Sequence, residues 1–311
     1  MLVNLNKILP KARKGKYGVG AFNTSNIEIT QAIIQAAELL NAPVIVATSE
    51  KAIQYTGIEN LSQLIITMAK KASVPVALHL DHGKSFEIVK ECIKHNYTSV
   101  MIDASHLPFK ENLRLTKQVV KYAHKRGVSV EAEIGRLAGI EDDIKVKKDE
   151  AIYTDPAEAK RFANESGCDA LAIAIGTSHG AYKFKGKPKL RIDILKEIAK
   201  IVKIPLVLHG ASGVQIKWIN RVNKFGGKLA HTRGVPDNLI KQAVKNGICK
   251  INIDTDLRIA FTAGVREYSI KNPKVFDPRK IIGFARDMMQ QVVEDRIKIF
   301  GSKNKALPPL P

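Results

Sequence analysis

Eight short apolar runs alternate with amphipathic stretches along this chain of 311 residues. The runs are rich in Val, Ile, Leu and Ala, as in strands that are buried on both faces of a parallel sheet. They span residues 17–23, 43–49, 74–81, 99–104, 128–135, 170–176, 205–209 and 249–254. Eight strand–helix units without a Pro/Ser-rich linker predict one α/β domain over residues 1–311. The expected fold is a closed (β/α)8 TIM barrel with additional C-terminal helices at 278–300.

The stretches between the apolar runs have helical spacing. We predict helices over residues 28–40, 61–71, 86–95, 112–126, 156–166, 192–202 and 236–246. Asn26, Ser85 and Asp155 are expected N-caps, because each has a side-chain oxygen just before such a stretch.

Polar or ionisable residues end nearly every predicted strand. They are Asn23, Ser49, Asp81, His82, Asp103, Glu133, His179, His209, Ser212, Asn252 and Asp254. In a (β/α)8 barrel the loops at the carboxyl ends of the strands build the active site, so one mouth would collect all of these side chains. We therefore expect an enzyme with its active site at that end.

Three of these residues, His82, His179 and His209, are each followed by glycine. A single histidine near a strand end is usually structural, but three that converge can bind one metal ion. Neutral imidazoles suit zinc, and three protein ligands leave a coordination position open for substrate. The pattern predicts a catalytic Zn²⁺ site.

Asp81 directly precedes His82, and two interpretations of it stand. Its carboxylate can orient an imidazole, or it can act as a general acid/base beside the metal-bound substrate; we favour the second. Neighbouring strand residues face opposite sides, so Asp81 and His82 can both point inward only where the chain turns. Gly83 would allow that turn.

Asp103 and Glu133 end the fourth and fifth predicted strands. Two carboxylates at the barrel mouth can hold a second cation, or they can be solvated. We expect them to bind a metal.

Two loops follow the seventh and eighth strands, at Gly210-Ala211-Ser212-Gly213 and Asn252-Ile253-Asp254-Thr255. This is the usual phosphate site of such barrels, where backbone N–H groups and a hydroxyl receive the anion. Lys183 and Arg258 lie near the same strand ends and add positive charge. We expect a phosphorylated ligand.

Residues 135–154 form a long connection between a strand and a helix, and long connections are often lids. Glu141, Asp142 and Asp143 are possible proton donors when such a loop closes. A solvated acidic turn is the other interpretation.

The net charge of +20 permits three interpretations. It can describe a solvated lysine-rich surface, attraction of an anionic substrate, or binding of nucleic acid. Lysines are spread over the whole chain, and the dense run at 145–148 is short and lacks aromatic residues. We therefore expect no nucleic-acid partner.

The cysteines and the hydropathy pattern indicate a cytoplasmic protein. Cys92, Cys168 and Cys249 are scattered and lack CxxC spacing, so they fit a reduced compartment as buried small residues. No apolar run reaches the roughly 18 residues of a spanning helix, and the N-terminus lacks a signal-peptide pattern. We expect no membrane association.

The chain resembles the class II, metal-dependent fructose-bisphosphate aldolases, in the branch shared with tagatose-bisphosphate aldolases. The motifs that carry the resemblance are Gly-Ala-Phe-Asn at 20–23, Leu-Asp-His-Gly at 80–83, Glu-Ala-Glu-Ile-Gly at 131–135, Gly-Thr-Ser-His-Gly at 176–180, Leu-His-Gly-Ala-Ser-Gly at 208–213 and Asn-Ile-Asp-Thr-Asp at 252–256. The resemblance extends over nearly the whole chain, because these motifs are spread from residue 20 to residue 256.

The resemblance implies a role for each matching position. His82, His179 and His209 would bind the catalytic zinc, Asp81 would be the acid/base, and Asp103 and Glu133 would bind a second divalent or monovalent cation. The dihydroxyacetone-phosphate site would comprise Gly180, Lys183, Gly210, Ala211, Ser212, Asn252, Ile253, Asp254 and Thr255. Ser49 and Arg258 would contact the glyceraldehyde-3-phosphate end, and Glu141 or Asp142 would be the loop acid.

The implied reaction is the reversible cleavage of fructose 1,6-bisphosphate in glycolysis and gluconeogenesis, with zinc stabilising the enediolate. The nearest alternative is the same chemistry on the C4 epimer, tagatose 1,6-bisphosphate. A Schiff-base aldolase would need a lysine at a strand end, and Lys250 is expected to start its strand. An RNA-binding barrel and a metal-binding protein without turnover are the remaining alternatives. The family suggests a homodimer or homotetramer with contacts through the C-terminal helices.

Overall fold

The computed structural model describes residues 1–136, 138–141, 144–146, 152–179, 189–230 and 233–306, with the backbone alone for 138–141, 144–146 and 179. Its strands are β1 (Val19–Asn23), β2 (Val44–Thr48), β3 (Val76–Gly83), β4 (Ser99–Ile102), β5 (Ser129–Ile134), β6 (Ala138–Glu141), β7 (Ile144–Val146), β8 (Ala170–Ile173), β9 (Ser178–His179), β10 (Leu206–Leu208) and β11 (Ile248–Ile253). Eight of them close a barrel in the order β1-β2-β3-β4-β5-β8-β10-β11, and β11 returns to β1.

The barrel confirms the predicted fold. All its strand pairs are parallel, so the carboxyl ends of all eight strands lie at one end of the barrel. Each strand coincides with one of the apolar runs, because strands covered on both faces need apolar residues throughout. The polar residues that directly follow these barrel strands are therefore placed at the same end of the barrel.

The helices are α1 (Leu5–Gly15), α2 (Ile27–Leu39), α3 (Glu50–Thr56), α4 (Ile58–Lys71), α5 (Phe86–Lys94), α6 (Phe109–His124), α7 (Pro156–Ser166), α8 (Ile192–Ile201), α9 (Ile216–Lys224), α10 (Asp237–Lys245), α11 (Thr255–Lys271) and α12 (Pro278–Phe300). The three predicted N-caps are confirmed. Asn26, Ser85 and Asp155 each accept a hydrogen bond from a backbone N–H in the first turn of α2, α5 and α7.

Helix α1 closes the end of the barrel opposite the mouth. Leu5, Ile8 and Leu9 are buried and share an apolar cluster with inward residues of the barrel strands such as Ala21 and Ala77. This packing seals the amino ends of the strands against water, so access to the barrel interior is from the carboxyl end.

The C-terminal helices pack closely on each other and on the barrel. α12 contacts α11, α2 and β1. At Gly264 of α11 an added Cβ would lie 2.5 Å from the Cα of Ala285 in α12, so glycine allows the two backbones to approach. The predicted helix at 278–300 is confirmed as α12.

Part of the predicted lid forms strands. β6 pairs with β7 in antiparallel orientation and with β9 in parallel, with Gly139 opposite His179. Where its backbone is described, the long connection over residues 135–154 therefore forms a second sheet with the residues after β8.

Two expectations about burial and hydropathy can also be compared with the structure. Cys92, Cys168 and Cys249 are buried and form no disulfide, as predicted. Among the helices of the described ranges, none has the length and apolar character needed to cross a bilayer.

Candidate active site

The end of β3 brings Asp81 and His82 to the same side of the chain. His82 has φ +48°, in the left-handed region, and the register between β3 and β4 shifts between Leu80 and Gly83. This irregularity breaks the alternation of the strand, so the ligand atoms of Asp81, His82 and His209 all lie within 4.8 Å of one another.

The turn that was expected at Gly83 occurs at His82 instead. Gly83 does not have positive φ, but an added Cβ would lie 2.6 Å from the carbonyl oxygen of Met101. Glycine is needed there because β3 and β4 approach closely, and the strain of positive φ is borne by the histidine.

Asp103, at the end of β4, orients His82. Its Oδ2 lies 2.7 Å from His82 Nδ1, and its Oδ1 accepts hydrogen bonds from the backbone N–H and hydroxyl of Ser105. Burial raises the pKa of Asp103, but these hydrogen bonds and the charge of His82 outweigh it, so the pKa lies well below the usual range. The carboxylate therefore accepts a hydrogen bond from Nδ1–H and fixes the tautomer of the ring.

His209 follows β10 and lies between two glutamates of β5. Its Nδ1 is 3.0 Å from Glu133 Oε2 and its Nε2 is 2.8 Å from Glu131 Oε1. Burial lowers the pKa of His209, but the charge of Glu133 and the hydrogen bonds to both glutamates raise it to about 9 overall. The ring packs edge-on against His82, with 4.5 Å between centroids.

Asp81 is held by two asparagine side chains. Asn23 donates to Oδ2 at 2.9 Å and Asn252 donates to Oδ1 at 2.7 Å. Burial raises the pKa of Asp81, but the charges of His82, Lys250 and His209 outweigh it and hold the pKa well below the usual range. Among the described residues, the role of orienting an imidazole at β3 is taken by Asp103, not by Asp81.

A buried polar layer lies one step deeper in the barrel, formed by the charged pair Glu131 and Lys250 and by His79. Lys250 Nζ lies 2.9 Å from Glu131 Oε2 and 2.7 Å from Asn252 Oδ1. Burial raises the pKa of Glu131, but Lys250 and the hydrogen bond from His209 lower it to about 2. Burial and the charge of Lys250 lower the pKa of His79 to about 3, so this imidazole is neutral and bonds to Ser99.

Sequence reasoning did not assign functions to Glu131 and Lys250. The expectation that Lys250 starts its strand is wrong, because it lies inside β11 and is fully buried. The signal that would have found both is the two-residue period of a strand. Glu131 shares a face with Glu133, and Lys250 shares a face with Asn252.

The two loops expected to bind phosphate contact each other directly. The Ser212 hydroxyl accepts from the backbone N–H of Asp254 at 3.3 Å, and Asp256 accepts from the N–H groups of Gly213 and Val214. Gly210 has φ +60°, and an added Cβ would lie 2.8 Å from the carbonyl oxygen of Ser178. The residue before His179 therefore packs against the residue after His209.

Ser49 and Arg258 line one cavity of about 270 Å³ together with Asn23, Lys51 and Asp254. Arg258 forms an ion pair with Asp254, at 2.8 Å between Nη2 and Oδ2. Because Asn23 also bonds to Asp81, this cavity adjoins the cluster at the barrel mouth.

Several predicted site residues cannot be placed by their side chains. Gly180, Lys183 and Asp142 lie outside the described residues, and His179 and Glu141 are described by backbone only. The backbone of His179 lies in β9, beside β6, as the pairing with Gly139 requires.

Comparisons with known proteins give one consistent family. The model of the family described as fructose-bisphosphate aldolase class-II matches residues 3–305. A fructose-bisphosphate aldolase from Thermus caldophilus is 52% identical, with 98% of this chain and 100% of that protein covered. One from Helicobacter pylori strain 26695 is 50% identical over the same shares. The crystal structure of the YdjI aldolase from Escherichia coli K12 superposes with a TM-score of 0.81 at 34% identity, covering 99% of this chain and 100% of that chain.

Proposed function

The chain belongs to the class-II fructose-bisphosphate aldolase family, and we propose that its reaction takes place at the carboxyl end of the barrel. The reaction is the reversible cleavage of fructose 1,6-bisphosphate into dihydroxyacetone phosphate and glyceraldehyde 3-phosphate. The observation that carries the location is the cluster of Asp81, His82 and His209, whose ligand atoms lie within 4.8 Å of one another.

The family implies a divalent metal, and the donor set at the mouth fits one. Two imidazoles and a carboxylate converge there, which is a combination that zinc accepts. We propose that the ion is zinc and that His82, His179 and His209 hold it. When bound, zinc would act as a Lewis acid that stabilises negative charge on the substrate oxygens.

The carboxylates beside the histidines orient the rings. Asp103 holds a proton on Nδ1 of His82 and so assigns the ligand role to Nε2. His209 has a glutamate at each nitrogen, so it must exchange one of these contacts to become a ligand. Asp103 and Glu133 lie with His82 in a second group of possible ligand atoms within 4.8 Å of one another, and we propose that the two carboxylates bind a second cation.

Asp81 moves the proton in this proposal. In cleavage its carboxylate removes the proton of the C4 hydroxyl, and in condensation it returns that proton to the aldehyde oxygen. Asn23 and Asn252 each donate to one of its oxygens. These two bonds restrict rotation of the carboxylate and keep it in the charged form that accepts a proton.

The loops at the mouth bind the two ends of the substrate. The dihydroxyacetone-phosphate end would contact Gly180, Lys183, Gly210, Ala211, Ser212, Asn252, Ile253, Asp254 and Thr255. Support comes from the direct contact between the two loops and from the N-terminus of α11, which begins at Thr255 and favours an anion. Ser49 and Arg258 would contact the other phosphate from their shared cavity, and Glu141 or Asp142 would supply the loop acid.

We propose further that residues 1–311 are one domain and that the protein is a homodimer or homotetramer. Contacts between α12 and both α2 and α11 join the C-terminal helices to the barrel. Ile270 of α11 and Phe276, which follows that helix, are exposed apolar side chains in the region where contacts between copies are expected. Light scattering of the purified protein measures the molecular mass, and a monomer of 34.3 kDa would contradict the assembly.

A coupled cleavage assay with metal exchange tests the function. Chelator should abolish cleavage of fructose 1,6-bisphosphate, and zinc or cobalt should restore it. Borohydride with substrate should not inactivate the enzyme, because no Schiff base forms. Inactivation by borohydride would contradict the metal-dependent mechanism, and a higher kcat/KM for tagatose 1,6-bisphosphate would reverse the choice of epimer.

A further inference from the structure

Lys250 is a fully buried lysine on the inner face of β11. Its Nζ lies 2.9 and 3.1 Å from the two carboxylate oxygens of Glu131 and 2.7 Å from Oδ1 of Asn252. A charged group inside a barrel is costly unless its hydrogen bonds are made. The contacts with Glu131 Oε1 and Asn252 Oδ1 are hydrogen bonds, and the contact with Glu131 Oε2 completes the ion pair.

The contact with Asn252 fixes which way its amide faces. An ammonium group only donates hydrogen bonds, so Asn252 must turn its oxygen toward Lys250. The amide NH₂ then points the other way, and it donates to Asp81 Oδ1 at 2.7 Å. With the amide reversed, Asn252 would present its oxygen to the carboxylate of Asp81, and two hydrogen-bond acceptors would face each other without a donor between them.

The contact with Glu131 connects Lys250 to the histidine cluster. Glu131 Oε1 accepts from Lys250 and also lies 2.8 Å from His209 Nε2. Lys250 is thus connected to the proposed acid/base Asp81 through Asn252. It is connected to the proposed metal ligand His209 through Glu131.

We propose that Lys250 is a positioning residue for the aldolase reaction: it sets the orientation of Asn252, and through it that of Asp81, while it anchors Glu131 beside His209. This inference rests on the proposed function, because it assigns Lys250 a role through Asp81. Lys250 does not act as a nucleophile here, since its ammonium is fully buried and bonded to a carboxylate. A purely structural ion pair would affect stability alone.

The test compares zinc-loaded Lys250→Met and Lys250→Gln with the wild type. Lys250→Met removes the donor, and we expect kcat to fall about 10- to 100-fold, as for other partners that orient catalytic groups, with KM changed much less. Lys250→Gln retains a hydrogen-bond donor for Asn252 and should recover part of the loss. Zinc affinity should fall in Lys250→Met because Glu131 loses its anchor.

A double-mutant cycle separates positioning from a structural role. If Lys250 acts through Asn252, the variant with both Lys250→Met and Asn252→Ala should lose little more kcat than the worse single variant. Arg13→Met is the matched control, because Arg13 donates to the backbone carbonyls of Val202 and Ile204 at the closed end of the barrel. It should lower the melting temperature and leave kcat unchanged.

The outcomes distinguish this inference from the proposed function. A wild type that does not cleave the bisphosphate contradicts the proposed function itself. An active wild type together with a folded Lys250→Met that keeps kcat within twofold, or with additive effects in the cycle, overturns the role of Lys250. If Lys250→Met does not fold, the cycle is run with Lys250→Gln and Asn252→Ala, and additive losses of kcat there overturn the role of Lys250.

Discussion

At the scale of single residues, Asp81 has the surroundings that a proton carrier needs. It is buried, charged and held at both oxygens by amide donors. We predict that Asp81→Ala lowers kcat at least about 10²-fold, as expected for the loss of a general acid/base, while zinc content is retained. Steady-state cleavage kinetics and metal analysis on the same preparation measure the two quantities.

The control for Asp81→Ala is Asp193→Ala. Asp193 lies at the start of α8, is 61% exposed and pairs with Arg191, so its removal should leave kcat unchanged. A near-normal kcat in Asp81→Ala would assign the proton transfer to another group. Loss of zinc from that variant would indicate that Asp81 is a ligand.

The types of the site residues could be predicted from sequence, but their local geometry could not. Histidine and aspartate at a strand end predict a metal and an acid/base. The left-handed conformation of His82 follows from the register between β3 and β4, which is a tertiary property. Lys250 was not assigned a function because a lysine near the beginning of an apolar run suggests the exposed start of a strand. Only its partner Glu131, on another strand, makes its burial tolerable.

At the scale of elements, the contact between α11 and α12 depends on one glycine. We predict that Gly264→Ala destabilises the protein by about 1–3 kcal/mol, as for other overpacked sites, because its Cβ would lie 2.5 Å from the backbone of Ala285. Gly283→Ala on α12 is the matched control: its added Cβ would have no heavy atom within 4 Å. That variant should stabilise the helix by about 0.5–1 kcal/mol. Thermal unfolding measures the stability of both variants. Equal changes in melting temperature for Gly264→Ala and Gly283→Ala would contradict the prediction.

A second contact between elements, the one that Glu267 makes, should contribute to stability in a way that depends on pH. Glu267 of α11 is 4% exposed and pairs with Arg221 of α9 and with Lys271. The hydrogen bond from Arg221 lowers the pKa of Glu267 and Lys271 adds to this, against the opposing effect of burial. A depressed pKa stabilises the folded state above the unfolded pKa, and that contribution is lost as pH falls through the folded pKa.

We therefore predict that Glu267→Gln lowers the melting temperature at pH 7 and that its difference from the wild type shrinks below about pH 4.3, the ordinary glutamate pKa. Glu165→Gln is the control, because Glu165 pairs with Arg161 on an exposed face and such pairs contribute little. If the difference in melting temperature between Glu267→Gln and the wild type does not change with pH, packing and not charge accounts for the effect.

The elements that sequence reasoning found are those with a strong local signal. All eight barrel strands and three N-caps were predicted, because apolar runs and capping side chains are local properties. α1 was missed: Asn4 makes no side-chain cap bond, and Pro10 lies inside the helix. α11 was missed because small residues such as Ala260, Ala263 and Gly264 form much of its buried face, so its pattern lacks an apolar stripe.

At the scale of the whole molecule, the chain has 50 basic and 30 acidic residues, which gives it a net charge of +20. This charge has a physical connection with the proposed function. A large positive charge raises the local concentration of anions around a protein and is screened by salt. The proposed substrate carries two phosphates and approaches a mouth that includes Lys51 and Arg258. Attraction of the substrate is thus a physical use for the charge, beyond solvation.

We predict that kcat/KM for fructose 1,6-bisphosphate falls as ionic strength rises from about 20 to 200 mM, where the Debye length shortens from roughly 20 to 7 Å. Fructose 1-phosphate is the matched comparison, because it has the same reacting carbons and lacks one phosphate. Its kcat/KM should fall less steeply, since the attraction scales with the charge of the ligand. Equal slopes for the two substrates would mean that the positive surface does not steer substrate. Salt-sensitive RNA binding, with cleavage independent of salt, would instead connect the charge with a nucleic-acid partner.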